Sequence, residues 1–230
     1  MLGVRHQLLE FSKQTQELFS ELGKIDWREI DQRLARDTVR LAELGWTVAP
    51  WMTPKEVSEL AVLDSEALDQ EFSKLYFEDG GLDRAKSQLT ASARMADWQP
   101  LLAQVFGAIE RKDHLITIPA LLLMLEGFVA QFADPANSKL VCTVNVPNLV
   151  AAIQSTPDPA GITAKVWMST TAFLDQLYKK SPFSDPSPSF VNRHWILHGR
   201  LKSTEWDVVD AIRLLNALST LHWLMSFDER

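Results

Sequence analysis

A single cysteine, Cys142, stands in the 230 residues, which leaves no internal disulfide and no multi-cysteine zinc site to consider. It lies in an apolar segment with no histidine close in sequence, so a cysteine nucleophile paired with a local base is excluded too. No HExxH pair, no G-x-S-x-G elbow and no phosphate-cradling glycine loop occurs. Tyrosine is scarce, two against eight tryptophans, and the tryptophans scatter from Trp27 to Trp223 as packing residues do. The chain lacks a general basic excess: its formal charge is -7, whereas nonspecific coating of nucleic acid needs a basic face. Met1 to Leu9 has no apolar core of a secretion signal, and Arg5 and His6 interrupt it, so the expected compartment is the cytoplasm. No internal repeat or low-complexity tract is present.

The charge that is there is unevenly placed. From Glu56 to Asp79 there are eight acids and one base, Lys74, whereas from Lys179 to Lys202 there are five bases and only Asp185. A solvated face is the plain explanation of either cluster; a docking surface is the other.

Apolar spacing predicts an all-α chain. Helices are expected over about Val4 to Leu22 and from Asp26 to Gly45, the second opening on an Asp26/Glu29 capping box with Ile25 and Ile30 as a staple. The two form an antiparallel pair. Trp46 to Met52 reads as an extended link carrying two tryptophans, and Thr53-Pro54-Lys55-Glu56 restarts a helix with a threonine cap. Further helices are expected over Ser65 to Phe77, Leu82 to Ala96, and Pro100 to Lys112, with Gly80-Gly81 as the best boundary or simply a turn. Leu115 to Phe132 is apolar nearly all round and is expected as the central buried helix; a membrane span is disfavoured by Pro119 and Glu126. Leu140 to Val146 has strand character but no partner strand, so an irregular or helical segment is preferred, then a helix over Pro147 to Gln154 and a loop to Gly161. Long helices over Thr163 to Lys180 and Thr204 to Met225 flank a proline-rich loop and the stretch from Phe190 to Arg200.

That stretch concentrates the reactive side chains: Arg193, His194 and His198, with Asn192 before them and Gly199 as a helix stop. A guanidinium holds phosphate oxygens, and imidazole titrates near neutrality, which suits proton transfer. Glu126, surrounded by apolar residues, needs a cation, a proton or water if it is buried, and Arg193 is the expected partner; at a rim it would simply reach solvent. Gly127 beside it admits a close backbone or ligand. His6, His114 and His222 are read as structural.

Arg193-His194-Trp195-Ile196-Leu197-His198, preceded by Asn192, followed by Gly199 and accompanied by an apolar helix with Glu126, resembles the HEPN superfamily, which carries an Arg and a His a short gap apart on a helix of an α-helical bundle. The residue after the arginine, often Asn or Asp in that family, is His194 here. The resemblance covers about residues 100 to 226. It implies a HEPN-like domain over 99–230 with an added helical region over 1–98, or one continuous domain. It also implies a metal-independent endoribonuclease without cofactor, acting on RNA as a homodimer, of the kind found as bacterial toxins and antiviral effectors with an antitoxin or regulatory protein as partner. Arg193 would stabilise the phosphate, His198 and His194 would move protons, Asn192 would orient a histidine or the phosphate, and Glu126 would complete the catalytic set.

On a regular helix the five-residue separation turns Arg193 and His198 about 140° apart, while His194 and His198 share a face. Arg193 must therefore curl round in the first turn, or two copies must share a cleft. The histidine pair is also a half-site for zinc or iron with Glu126 as third ligand, although Arg193 would repel a cation. The remaining alternative is a non-catalytic HEPN-like protein- or nucleotide-binding module.

Overall fold

The structure, a computed structural model, describes residues 26–133, 161–182, 184–188 and 190–226, with the side chains of 131–133 excepted. The helices expected over 4–22 and 147–154, the Ile25 staple, the 140–146 segment with Cys142 and the loop over 156–160 lie outside these residues. Two units divide between Arg33 and Leu34. In the first, Asp26 Oδ1 accepts the N–H groups of Arg28 and Glu29, both at 3.0 Å, and so starts helix α1, Trp27–Glu43.

The described residues are all-helical and contain no strand. The second unit takes α1 from Leu34 onward and adds α2 (Pro54–Leu60), α3 (Ser65–Phe77), α4 (Gly81–Thr90), α5 (Gln99–Glu110), α6 (Thr117–Ala133), α7 (Gly161–Leu177), α8 (Arg193–Leu197) and α9 (Val208–Met225). Single 3₁₀ turns cover Ala93–Trp98, His114–Ile116 and Ser203–Glu205. Helix α9 is the hub, packing against α3, α4, α6 and α7. Helices on both sides of Trp98 thus share one core. No helix among the described residues is long and apolar enough to cross a membrane.

The central place expected of Leu115 to Phe132 belongs instead to α9. Every residue from Asp210 to His222 is buried, whereas α6 leaves Leu123 52% exposed. A helix buried all round must satisfy its polar side chains internally; α9 does so at Asn216, Ser219 and Thr220, and leaves Arg213 Nε without a hydrogen-bond partner among the described residues. Asn216 Nδ2 donates to Thr47 O at 2.7 Å and to Thr47 Oγ1 at 2.8 Å, and Asn216 Oδ1 accepts from the Tyr76 hydroxyl at 2.9 Å. Thr220 closes the group on Thr47 Oγ1 at 3.0 Å. Buried Trp46 stacks on Phe72 beside it, centroids 3.9 Å apart.

Local chemistry sets most of the ends. Thr53 and Glu56 form the expected reciprocal box, and Gly45, at φ +94°, turns the chain out of α1. Gly80-Gly81 makes a tight turn: a Cβ on Gly81 would lie 2.6 Å from the Leu75 carbonyl oxygen. The single helix expected over Leu82 to Ala96 breaks at Thr90. Gln99 Nε2 donates to the carbonyls of Leu89 and Thr90, both at 3.2 Å, and Ser92 bonds to His222, so tertiary partners replace the next turn. The last helix begins at Val208 rather than Thr204, because Asp207 and Asp210 form a capping box. Helix α7 is displaced from its expected span of Thr163 to Lys180, beginning two residues earlier and ending three earlier.

Candidate active site

Helix α8 is a short element placed by its neighbours. Pro186 and Pro188 precede it, and the chain enters through Asn192, which is 2% exposed. Asn192 Oδ1 accepts the Trp195 N–H at 3.1 Å and caps the helix. Its Nδ2 donates to the carbonyls of Gln176 and Lys179, both at 3.0 Å, tying the end of α7 to the start of α8. Both amide hydrogens and the oxygen of Asn192 are thus engaged by backbone, whereas the sequence reading expected it to orient a histidine or a phosphate. Its role is positional. Trp195 and Ile196 turn inward, Trp195 Nε1 donating to Ser181 Oγ at 2.9 Å. Gly199, at φ +65°, ends α8 as the C′ residue of a Schellman motif: Gly199 N–H bonds Ile196 O at 3.0 Å and Arg200 N–H bonds Trp195 O at 2.8 Å.

Arg193 leaves the first turn toward α6. Its Nε and Nη2 both lie 2.6 Å from Glu126 Oε1, so the pairing expected for the carboxylate inside the apolar helix is present. Neither partner is sealed: the side chains are 28% and 24% exposed. Among the described residues the N–H groups of Nη1 and one of Nη2 remain for a second acceptor. Gly127 serves a side chain rather than a backbone or ligand, since a Cβ there would lie 2.7 Å from the Trp98 ring.

His198 is exposed just beyond the last residue of α8, and His194 is half-buried one turn before it. Their rings are 4.7 Å apart at 66°, the shared face expected from their spacing. Loss of hydration holds the His194 imidazole below its ordinary pKa, and the charges of His198, Lys180 and Arg193 push in the same direction. Arg193, Lys180 and both histidines therefore lie in one electrostatic neighbourhood. Lys179, Lys180, Arg200 and Lys202, which flank α8 in sequence, are all exposed. A cavity of about 370 Å³ backs onto Asn192 between the end of α7 and the proline-rich loop.

Tyr178 belongs to this neighbourhood and was not singled out from sequence. Its hydroxyl is buried without a hydrogen-bond partner among the described residues. Burial pushes its ionisation well above the ordinary phenol value, Glu126 adds to the rise, and Arg193 opposes it. No motif marks this residue; its place in the last turns of an apolar helix is the only signal.

Two other chemistries can be tested on geometry. Among the described residues no group of three or more His, Cys, Asp or Glu stands together to hold a metal ion, and Glu126, the third ligand considered for the histidine pair, is bonded to Arg193. Ser92 and His222 have the contact of a nucleophile and its base, Oγ to Nε2 at 2.6 Å. Gln88 decides against it. Its Nε2 donates to Ser219 O at 2.9 Å and lies 3.3 Å from His222 Nδ1, while Ser219 Oγ donates to Gln88 Oε1 at 2.8 Å. Nδ1 is then the acceptor and Nε2 already carries its proton toward Ser92, so this imidazole cannot deprotonate that hydroxyl. His222 is structural, in accord with the reading of the sequence.

No protein-family model, no curated protein and no solved structure matches this chain.

Proposed function

We propose that this chain is a metal-independent endoribonuclease of the HEPN type, with Arg193, His194 and His198 as its reacting groups and Glu126 as the residue that positions Arg193. The observation that carries the reading is a half-exposed guanidinium, held by Glu126 at 2.6 Å, in the same electrostatic neighbourhood as two imidazoles 4.7 Å apart. Lys180 beside it and the exposed bases that flank α8 in sequence suit a phosphodiester backbone in a chain that is otherwise acidic.

In this reading the unengaged N–H groups of Arg193 bind a non-bridging oxygen and stabilise the charge gained at phosphorus. His194, whose lowered pKa keeps it neutral near pH 7, takes the proton of the ribose 2′-hydroxyl. The 2′-oxygen forms a bond to phosphorus as the bond to the 5′-oxygen breaks, and His198, in its protonated form, supplies the proton to the departing oxygen. The products are a 2′,3′-cyclic phosphate and a 5′-hydroxyl. A second copy related by a twofold axis would bring a second histidine pair to the same groove, and a homodimer is part of the proposal, as is a protein that restrains the activity. The alternative, a non-catalytic binding module, takes the Arg193–Glu126 pair as a clamp between α6 and α8.

Labelled RNA incubated with the full chain in EDTA tests this. Cleavage should survive chelation, yield cyclic-phosphate ends, spare RNA with a 2′-deoxy substitution at the scissile nucleotide, and fall on the order of a hundredfold or more in Arg193→Ala or His198→Ala. The acid limb of its rate profile should lie below the ordinary imidazole value of 6.5, and His194→Gln should remove that limb along with most of the activity. Activity that EDTA abolishes would assign the histidines to a metal, and no cleavage at any enzyme concentration would leave the binding module.

A further inference from the structure

The acidic stretch from Glu56 to Asp79 folds as α2, a turn and α3. Between the two helices lies a cleft of about 330 Å³. Its accessible apolar surface comes from half-buried Trp51, Leu60, Leu63 and Leu75, with buried Phe72 and Met52 beneath them. Exposed carboxylates stand along its rim. On the α2 side these already have cations: Glu59 pairs with Lys55 at 3.5 Å, and Lys55 and Arg84 both act on Glu56. On the α3 side, Glu71 and Asp79 are exposed and take part in no ion pair among the described residues. On the other flank of α3, Glu66, Glu78 and Asp207 stand with Lys74 beside Phe77, which is 42% exposed.

A trough with an apolar floor and an anionic wall selects its occupant by both properties. RNA and anionic lipid are repelled by the rim. A bare metal ion finds no use for the floor. A cationic segment without apolar side chains would gain only screened surface attraction, and an apolar one without cations would leave Glu71 and Asp79 unanswered.

We propose that the α2–α3 cleft is the docking site for a basic amphipathic helix of a partner protein, with apolar side chains at i and i+3 or i+4 seated against Leu60, Leu63 and Leu75 and Lys or Arg side chains set against Glu71 and Asp79. The site is on different residues from Arg193 and the histidines, and the proposal stands whether or not the chain cuts RNA.

The probe is a fluorescent peptide of about fourteen residues, or about four helical turns, built of Leu at i, i+3, i+4 and i+7 with Lys elsewhere. A control has the same composition in an order that destroys the apolar face. Measured by anisotropy with the full chain at about 0.15 M salt, the facial peptide should bind at least about tenfold more tightly than the control. Glu71→Lys with Asp79→Lys should remove about tenfold or more of that affinity, and Glu110→Lys, on α5, should not. Should the lysine pair disturb folding by circular dichroism, Glu71→Gln with Asp79→Gln preserves shape and should still weaken binding severalfold. Equal binding of the two peptides, or affinity indifferent to Glu71 and Asp79, would overturn the proposal. So would self-association of the chain that the same substitutions abolish, since the cleft would then belong to a second copy.

Discussion

Among the described residues Arg213 and Arg193 each hold a carboxylate, and their surroundings give the bonds different consequences. Arg213 is 6% exposed; its Nη2 donates to both oxygens of Asp69, at 2.6 and 2.8 Å, and Nη1 to Asp210 at 3.2 Å. The rings of Trp46 and Phe190 lie 5.4 and 5.9 Å from its guanidinium carbon. Burial outweighs this arginine at Asp210, whose carboxyl is raised above its ordinary value. Arg213→Leu strands the Asp210 carboxylate where little water reaches and strips both bonds from Asp69, which is 25% exposed, and should cost about 3–5 kcal/mol in urea unfolding. Arg193 and Glu126 both touch solvent, and Arg193→Leu should cost on the order of 1 kcal/mol while abolishing cleavage. If Arg193→Leu proved as costly as Arg213→Leu, the pair would be a structural clamp and the binding-module reading would gain.

At the scale of helices, the ends that local sequence could dictate were the ones legible in advance. Thr53-Pro54-Lys55-Glu56 contains the whole of its own cap, and Glu56 Oε2 accepts from Thr53 N at 2.7 Å and from Thr53 Oγ1 at 2.8 Å. These bonds hold the Glu56 carboxyl below its ordinary 4.5, the contact with the Thr53 backbone first. A lowered carboxyl stabilises the fold above that ordinary value and loses its contribution as pH falls through the folded one. Thr53→Ala should therefore cost about 1 kcal/mol at pH 7 in thermal or urea unfolding, and the difference from the parent should shrink below about pH 4. The break at Thr90 was not legible, because the groups that end α4 come from Gln99 and His222. The end of α7 was hidden for the same reason: Asn192 approaches its carbonyls from 13 and 16 residues further along. Periodicity reports an apolar face and says nothing of a distant amide.

For the molecule as a whole, the all-helical class and the Glu126–Arg193 contact followed from the sequence by one argument each. Spacing gave the helices, and the need of an enclosed carboxylate for a cation gave the pair. The identity of the central helix did not follow. Residues 115–132 are the more apolar, yet α9 occupies the middle because Asn216, Ser219 and Thr220 find exact partners in Thr47, Tyr76 and Gln88. Composition sees such residues as a reason for exposure, and only the fold shows them satisfied. Asn216→Leu would strip the Tyr76 hydroxyl and Thr47 of their partners and should lower stability by at least about 2 kcal/mol in urea unfolding, more than its added apolar volume returns. A neutral result would mean that this network is dispensable to the packing of α9.

One small amide has a reach larger than its size. Because Asn192 grips the Gln176 carbonyl of α7 and the Lys179 carbonyl just past it with one end, and the opening turn of α8 with the other, a shift of either helix strains the same side chain. Anything that tugs on the far end of α7 is thereby transmitted, through a single side chain, to the orientation of the guanidinium one residue downstream.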